Sequence, residues 1–245
     1  MSVKIHQIYY LPEQITKLDP AFTPFDNSAL TGTEEARQQY EWTVLRKVNQ
    51  LVDFNENNIC GFVSHKFKEK THVLGKFFIK FINENPGCDV YFMEPQFVNN
   101  PFFNVWTQGE CYHPGIIDLT NRIFELTGTN IDVSKIPMPF CFYNAFAGNQ
   151  KFWDCLLLAV DNIFKAAKLD PKVNEMLFSK SAGYEPNSTL AYFPFVAERI
   201  ASTIMATGDL KIAKMPYYDS TFVYRSNNMA RYFDSLIKDG LLLIN

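Results

Sequence analysis

Residues 58–70 read Asn58-Ile59-Cys60-Gly61-Phe62-Val63-Ser64-His65-Lys66-Phe67-Lys68-Glu69-Lys70, and the fold is decided here. Residues 58–63 form a short, mostly apolar run with no helical period, the pattern of a strand buried on both faces. The chain then turns polar at once. A helix is expected over 71–84, where Leu74, Phe77, Phe78, Phe81 and Ile82 recur at helical spacing until Asn85-Pro86-Gly87 stops them. Buried strand, polar turn and amphipathic helix are the unit from which parallel sheets are built.

The same alternation continues in both directions. Upstream, residues 3–10 read as a strand and 31–53 as one helix, opened by a Thr31-x-x-Glu34 capping box and striped by Ala36, Tyr40, Val44, Val48 and Leu51. Downstream, strands are expected at 89–93, 139–146 and 213–218. Helices are expected at 114–127, 150–168 and 194–206, with a closing helix from about 227. Residues 169–189 are polar and irregular and read as a loop over a site. The expected fold is α/β: a single domain with a mostly parallel sheet and helices on both faces. Ligands of such sheets lie at the carboxyl ends of the strands.

Composition bounds the partners. At 245 residues, with 47% hydrophobic residues and 23 Phe, the chain can bury a large core. A net charge of −3 implies no basic surface and argues against nucleic acid. Cys60, Cys88, Cys111, Cys141 and Cys155 are scattered and odd in number, which reads as reduced thiols in a cytoplasmic protein. Neither a signal peptide nor a membrane span is expected from the apolar patterning.

Four clusters could carry chemistry. Ser64 to Lys70 follows a buried strand and offers His65, Lys66 and Lys70 to an anion; the plainer reading is a solvated helix start. Asp89 and Glu94 could hold a metal or act as base, or could cap a strand. The segment 103–115 mixes Trp106 and Tyr112 with Asn104, Gln108, Glu110 and His113, a blend suited to sugar rings and hydroxyls or to an ordinary anchored loop. Finally, Tyr143-Asn144 and Glu198-Arg199 are candidates to act together. Glu198 is either a structural partner of Arg199 or a carboxylate free for catalysis. The chain holds no G-x-S-x-G, Walker loop or G-x-G-x-x-G motif.

These pieces, in this order, resemble a family of bacterial GT-A glycosyltransferases, galactosyltransferase-like, from capsule and lipopolysaccharide clusters. The resemblance rests on Asp26-Asn27 before Tyr40-Glu41-Trp42, on Gly61 to Phe67 in the place of a Gly-x-x-His-Tyr-Arg-Arg-Tyr motif, on Tyr143-Asn144-Ala145-Phe146 with Phe152-Trp153, and on Phe195-Val196-Ala197-Glu198-Arg199-Ile200. His65-Lys66 stands where the family has His-Tyr-Arg-Arg, and Tyr112-His113-Pro114-Gly115 has no counterpart, departures that fit a sister family.

The resemblance implies a GT-A-like fold and transfer of a sugar from a nucleoside diphosphate donor, UDP-linked by expectation, to a glycan or lipid-linked acceptor. It implies donor binding by Asp26, Asn27, His65, Lys66, Lys70, Gln108 and Asn144, with Glu198 as the catalytic carboxylate and His113 as the next candidate base. Most GT-A enzymes carry Asp-x-Asp where His65-Lys66 stands, so metal-independent transfer is expected, with Mn or Mg as the alternative. The location implied is cytoplasmic, with peripheral association at the inner membrane or in a biosynthetic complex. A non-catalytic carbohydrate-binding subunit on the same fold is the competing class.

Overall fold

The computed structural model describes residues 1–30, 32–54, 58–96, 100, 102–183 and 189–218. Thr31 of the expected capping box and the closing helix from 227 lie outside the described residues.

Among the described residues six strands form one sheet: β1 Ser2–Tyr9, β2 Thr23–Asp26, β3 Asn58–Ser64, β4 Val90–Gln96, β5 Phe146–Gly148 and β6 Ile212–Tyr218, in the order β2-β1-β3-β5-β4-β6. β1 pairs in parallel with β2 and β3, and β4 with β6. β5 runs antiparallel to both of its neighbours, β3 and β4. The sheet is therefore mixed, not the mostly parallel one expected. The cause is local: residues 139–145 do not extend as a strand but end in a turn that reverses the chain. Gly61 lets β5 come close, since a Cβ there would lie 2.8 Å from the Phe146 carbonyl oxygen.

The period-two alternation of the strands sorts side chains to opposite faces. Ile8, Cys60, Phe62, Val90, Phe92 and Phe146 pack into one apolar cluster, while Ile5, Ile59, Val63, Tyr91, Met93 and Ala147 pack into the other. Helices cover both faces, as expected. The first cluster takes in side chains of α2 Trp42–Leu45, α3 Val48–Leu51, α6 Val105–Tyr112, α7 Ile116–Leu126, α8 Gln150–Leu169, α9 Pro171–Phe178 and α10 Phe193–Thr207. The second is closed by α4 Phe67–Thr71 and α5 Gly75–Glu84 through Phe67, Phe78 and Ile82.

Several boundaries differ from the sequence expectation, each for a visible reason. The single helix expected at 31–53 is α1 Glu34–Gln39 followed by α2 and α3, broken at Tyr40, whose φ is +50°. The segment expected as loop at 103–115 is mostly α6, capped by Asn104, whose side-chain oxygen accepts from the Trp106 and Thr107 amides at 2.9 Å. Within 169–189, α9 starts at Pro171 with Asp170 as its cap. Among the described residues no helix is long and apolar enough to cross a membrane.

Candidate functional site at the strand ends

The carboxyl ends of β1, β3 and β4 and the start of β5 meet on one side of the sheet. Phe92 pairs with Phe146 and the Met93 amide donates to the Ala145 carbonyl at 2.9 Å, so Asn144 falls beside the end of β4. On the other flank, Cys60 and Gly61 pair with Gly148 and Ala147, which carries Ser64 and His65 to the same end.

A network absent from the sequence reading holds the backbone after β3. Gln7 on β1, only 1% exposed, donates from Nε2 to the Ser64 and His65 carbonyls, each at 3.1 Å. Its Oε1 accepts from the Asp19 amide at 2.7 Å. A glutamine so deeply buried must satisfy both ends of its amide, and here it ties the strand end to the loop before β2.

His65 is half-buried. Gln14 Oε1 accepts from the Tyr10 amide at 2.7 Å and the Leu11 amide at 3.2 Å, which fixes the orientation of the Gln14 side chain. Its Nε2 therefore faces His65 Nε2, 3.3 Å away, as a donor. The imidazole must accept there, which leaves the proton on Nδ1, an atom with no hydrogen-bond partner among the described residues. Burial, with the charges of Lys66 and Lys70, holds the His65 pKa below its ordinary value, while Glu41 opposes the shift. The ring is neutral at pH 7, and its Nδ1 proton is buried and unpaired among the described residues.

Lys66 is exposed and precedes α4, its amide donating to Ser64 Oγ at 3.3 Å. Lys70 is half-buried, its Nζ lying 4.7 Å from the centre of the Tyr143 ring. Asp26 ends β2 exposed, its carboxylate accepting from the Ser28 amide at 2.8 Å; a side-chain bond from Ser28, then that amide contact, pull its pKa down. Asn27 is buried and turns inward, Nδ2 donating to Thr43 Oγ1 at 3.2 Å.

Tyr143 and Asn144 have φ of +63° and +53°, and the Ala145 amide donates to the Phe142 carbonyl at 3.1 Å, closing a tight turn. Two consecutive left-handed residues without glycine are strained, and such turns persist only where their surroundings hold them. Glu198 does the holding: its Oε1 accepts from the Tyr143 amide at 2.7 Å. Asn144 is 7% exposed and its Oδ1 has no partner among the described residues.

Behind Glu198 lies Arg199, 3% exposed. Its Nε donates to the Val105 carbonyl at 3.0 Å, Nη1 to the Phe195 carbonyl at 2.9 Å and Nη2 to Gln108 Oε1 at 2.7 Å. Glu198 Oε2 is 3.7 Å from Nη1. Gln108 is thus engaged with Arg199 rather than grouped with His65 and Lys70. His113 is 2% exposed, stacked on Phe195 at 3.7 Å, with Nδ1 3.2 Å from the Ala182 carbonyl oxygen. Neither residue is brought together with the lysines: Gln108 pairs with Arg199 and His113 with Phe195.

Asp89 and Glu94 occupy opposite ends of β4, a separation of roughly 16 Å at ~3.3 Å per residue, so they cannot share one metal ion. Asp89 is bound to Asn149 Nδ2 at 2.8 Å and the Lys211 amide at 2.8 Å, and Glu94 pairs with Lys214 at 2.9 Å.

Burial, reinforced by the Arg199 charge, pushes the His113 pKa down to about 3. The unfolded chain titrates near the ordinary value of about 6.5, so stability is full above that pH. It is lost as pH falls toward the folded value, at about 1.4 kcal/mol per pH unit. Urea unfolding between pH 7 and pH 4.5 is expected to show this slope, and His113→Gln to remove one proton's worth of it. An unchanged slope in the variant means that His113 is not buried as the neutral ring.

No family model matches the chain, and no curated protein or solved structure matches it either.

Proposed function

We propose that the chain is a GT-A-like glycosyltransferase, moving a sugar from a nucleoside diphosphate donor, UDP-linked in the first instance, to a surface polysaccharide or lipid-linked glycan. The observation that supports this reading is the convergence, at the carboxyl ends of β1 and β3, of neutral His65 with Lys66 and Lys70, beside the Tyr143–Asn144 turn. Open α/β sheets bind ligands at this edge. Two ammonium groups suit a diphosphate, whose departure as a leaving group develops negative charge that fixed cations stabilise.

In this reading Lys66, Lys70 and His65 hold the diphosphate, Asp26 and Asn27 lie toward the nucleoside, and Asn144 meets a sugar hydroxyl. Catalysis then takes place in the cytoplasm, with the protein peripheral at the inner membrane or in a biosynthetic complex.

The test is a nucleotide-sugar screen by thermal shift, followed by donor turnover with and without EDTA. One donor is expected to stabilise the protein by about 2.7 kcal/mol at 100 times its Kd and to turn over at an unchanged rate in EDTA. A tenfold loss restored by Mn²⁺ or Mg²⁺ removes the metal-independent reading. Binding of glycans without turnover of any donor identifies a carbohydrate-binding subunit instead.

A further inference from the structure

Glu198, the carboxylate expected to act as base, is joined by direct contacts to a different part of the site. Its Oε1 receives the Tyr143 amide at 2.7 Å, and the ring of Tyr143 lies under Lys70 Nζ at 4.7 Å. Its Oε2 faces Arg199 at 3.7 Å, and Arg199 is itself fixed by three hydrogen bonds on α6 and α10. From the buried guanidinium to the exposed strand ends the contacts run Arg199, Glu198, Tyr143, Lys70. We infer that Glu198 is a positioning residue: it locks the left-handed turn at Tyr143–Asn144 so that the Tyr143 ring holds the Lys70 ammonium over the strand ends.

The physical case rests on the turn. Tyrosine disfavours positive φ, because its Cβ crowds the following carbonyl oxygen, and Asn144 repeats the demand at the next residue. Without an acceptor for its amide, Tyr143 relaxes toward extended backbone and its ring leaves Lys70. A carboxylate on the rigid helix α10 supplies that acceptor at a fixed place. Lysine needs the help more than arginine does, since its ammonium is a point charge on a flexible stem and has no geometry of its own. The aromatic face restricts the stem without neutralising the charge.

This inference rests on the transferase reading, in which Lys70 meets the donor diphosphate, and the two can fail separately. The experiment is donor kinetics on the wild type, Glu198→Gln, Glu198→Ala, Lys70→Ala and the Lys70→Ala/Glu198→Ala double variant. Melting curves confirm that each is folded. Glutamine keeps an oxygen acceptor for the Tyr143 amide and cannot act as a base. A positioning role predicts that Glu198→Gln stays within about threefold of wild type, with the same pH profile of kcat/KM. It also predicts that Glu198→Ala loses tenfold or more, mainly in donor KM. The double variant should be no worse than Lys70→Ala alone, because the alanine at 198 acts only through Lys70. If Glu198→Ala does not fold, Tyr143→Leu replaces it, removing the ring and leaving the carboxylate.

Loss of 10²–10⁴ in kcat for folded Glu198→Gln, the range typical of a missing general base, overturns the inference and leaves the transferase reading intact. So does a double variant in which the two losses multiply. A wild-type protein that turns over no nucleotide sugar removes the transferase reading, and the inference with it.

Discussion

Arg199→Ala is expected to lower the stability of the fold by about 3–5 kcal/mol, the largest loss from any single side chain of the site. The side chain is 3% exposed and its donors serve acceptors on two helices: the Val105 carbonyl and Gln108 Oε1 on α6, and the Phe195 carbonyl on α10. Truncation leaves Gln108 Oε1 without its donor, at about 1–3 kcal/mol for a buried group left unpaired, and it opens a void between the helices. It also leaves Glu198 without its facing charge. Lysine at 199 keeps the charge and loses the fork, so it is expected to recover only part of the loss. Gly109 belongs to the same device, because a Cβ there would lie 2.6 Å from Arg199 Nε. Urea unfolding of Arg199→Ala and Arg199→Lys checks the claim, and a loss below about 1 kcal/mol for alanine removes it.

Lys70→Ala is expected to cost about 2–4 kcal/mol in the transition state, a fall of roughly 30- to 1000-fold in kcat/KM for the nucleotide-sugar donor. The folded state loses much less, because a half-exposed cation over a ring contributes about 0.5–1 kcal/mol. Lys66→Ala should fall less than Lys70→Ala, since the Lys66 side chain is exposed and, among the described residues, lies over no aromatic ring. Steady-state kinetics beside melting curves separates the effects. Near wild-type turnover in both variants returns residues 64–70 to a solvated helix start.

How much of this was legible beforehand depended on residue type. β3 and β4 were readable because their apolar runs are short and bounded by polar turns, and α8 because its stripe is long. The sheet's mixed direction was not, because it is set by backbone reversal at Tyr143 and Asn144, and no glycine marks those positive φ values. Helix breaks at Tyr40 and His72 were hidden for the same reason. The group His65, Lys66 and Lys70 could be read from its place after a strand. Gln7, Gln14 and Tyr143, which orient it, could not, because their partners lie far away in sequence. The division at Glu198 and Arg199 was likewise undecidable from adjacency alone: consecutive helix residues point in different directions, and here one reaches the strand ends and the other the core.

The three residues of β5 set a timetable for synthesis. The β2-β1-β3 half of the sheet can zip as soon as residue 64 leaves the ribosome, whereas both partners of β4, β5 and β6, lie downstream of it. Val90-Tyr91-Phe92-Met93 therefore emerges with two open edges and waits for roughly 50 more residues before Phe146–Gly148 arrives, about 3–10 s at ~5–20 residues per second. An apolar strand with unpaired edges templates aggregation while it waits. Recombinant yield should thus respond to translation speed and to holdase chaperones more steeply than the equilibrium stability of the finished sheet suggests.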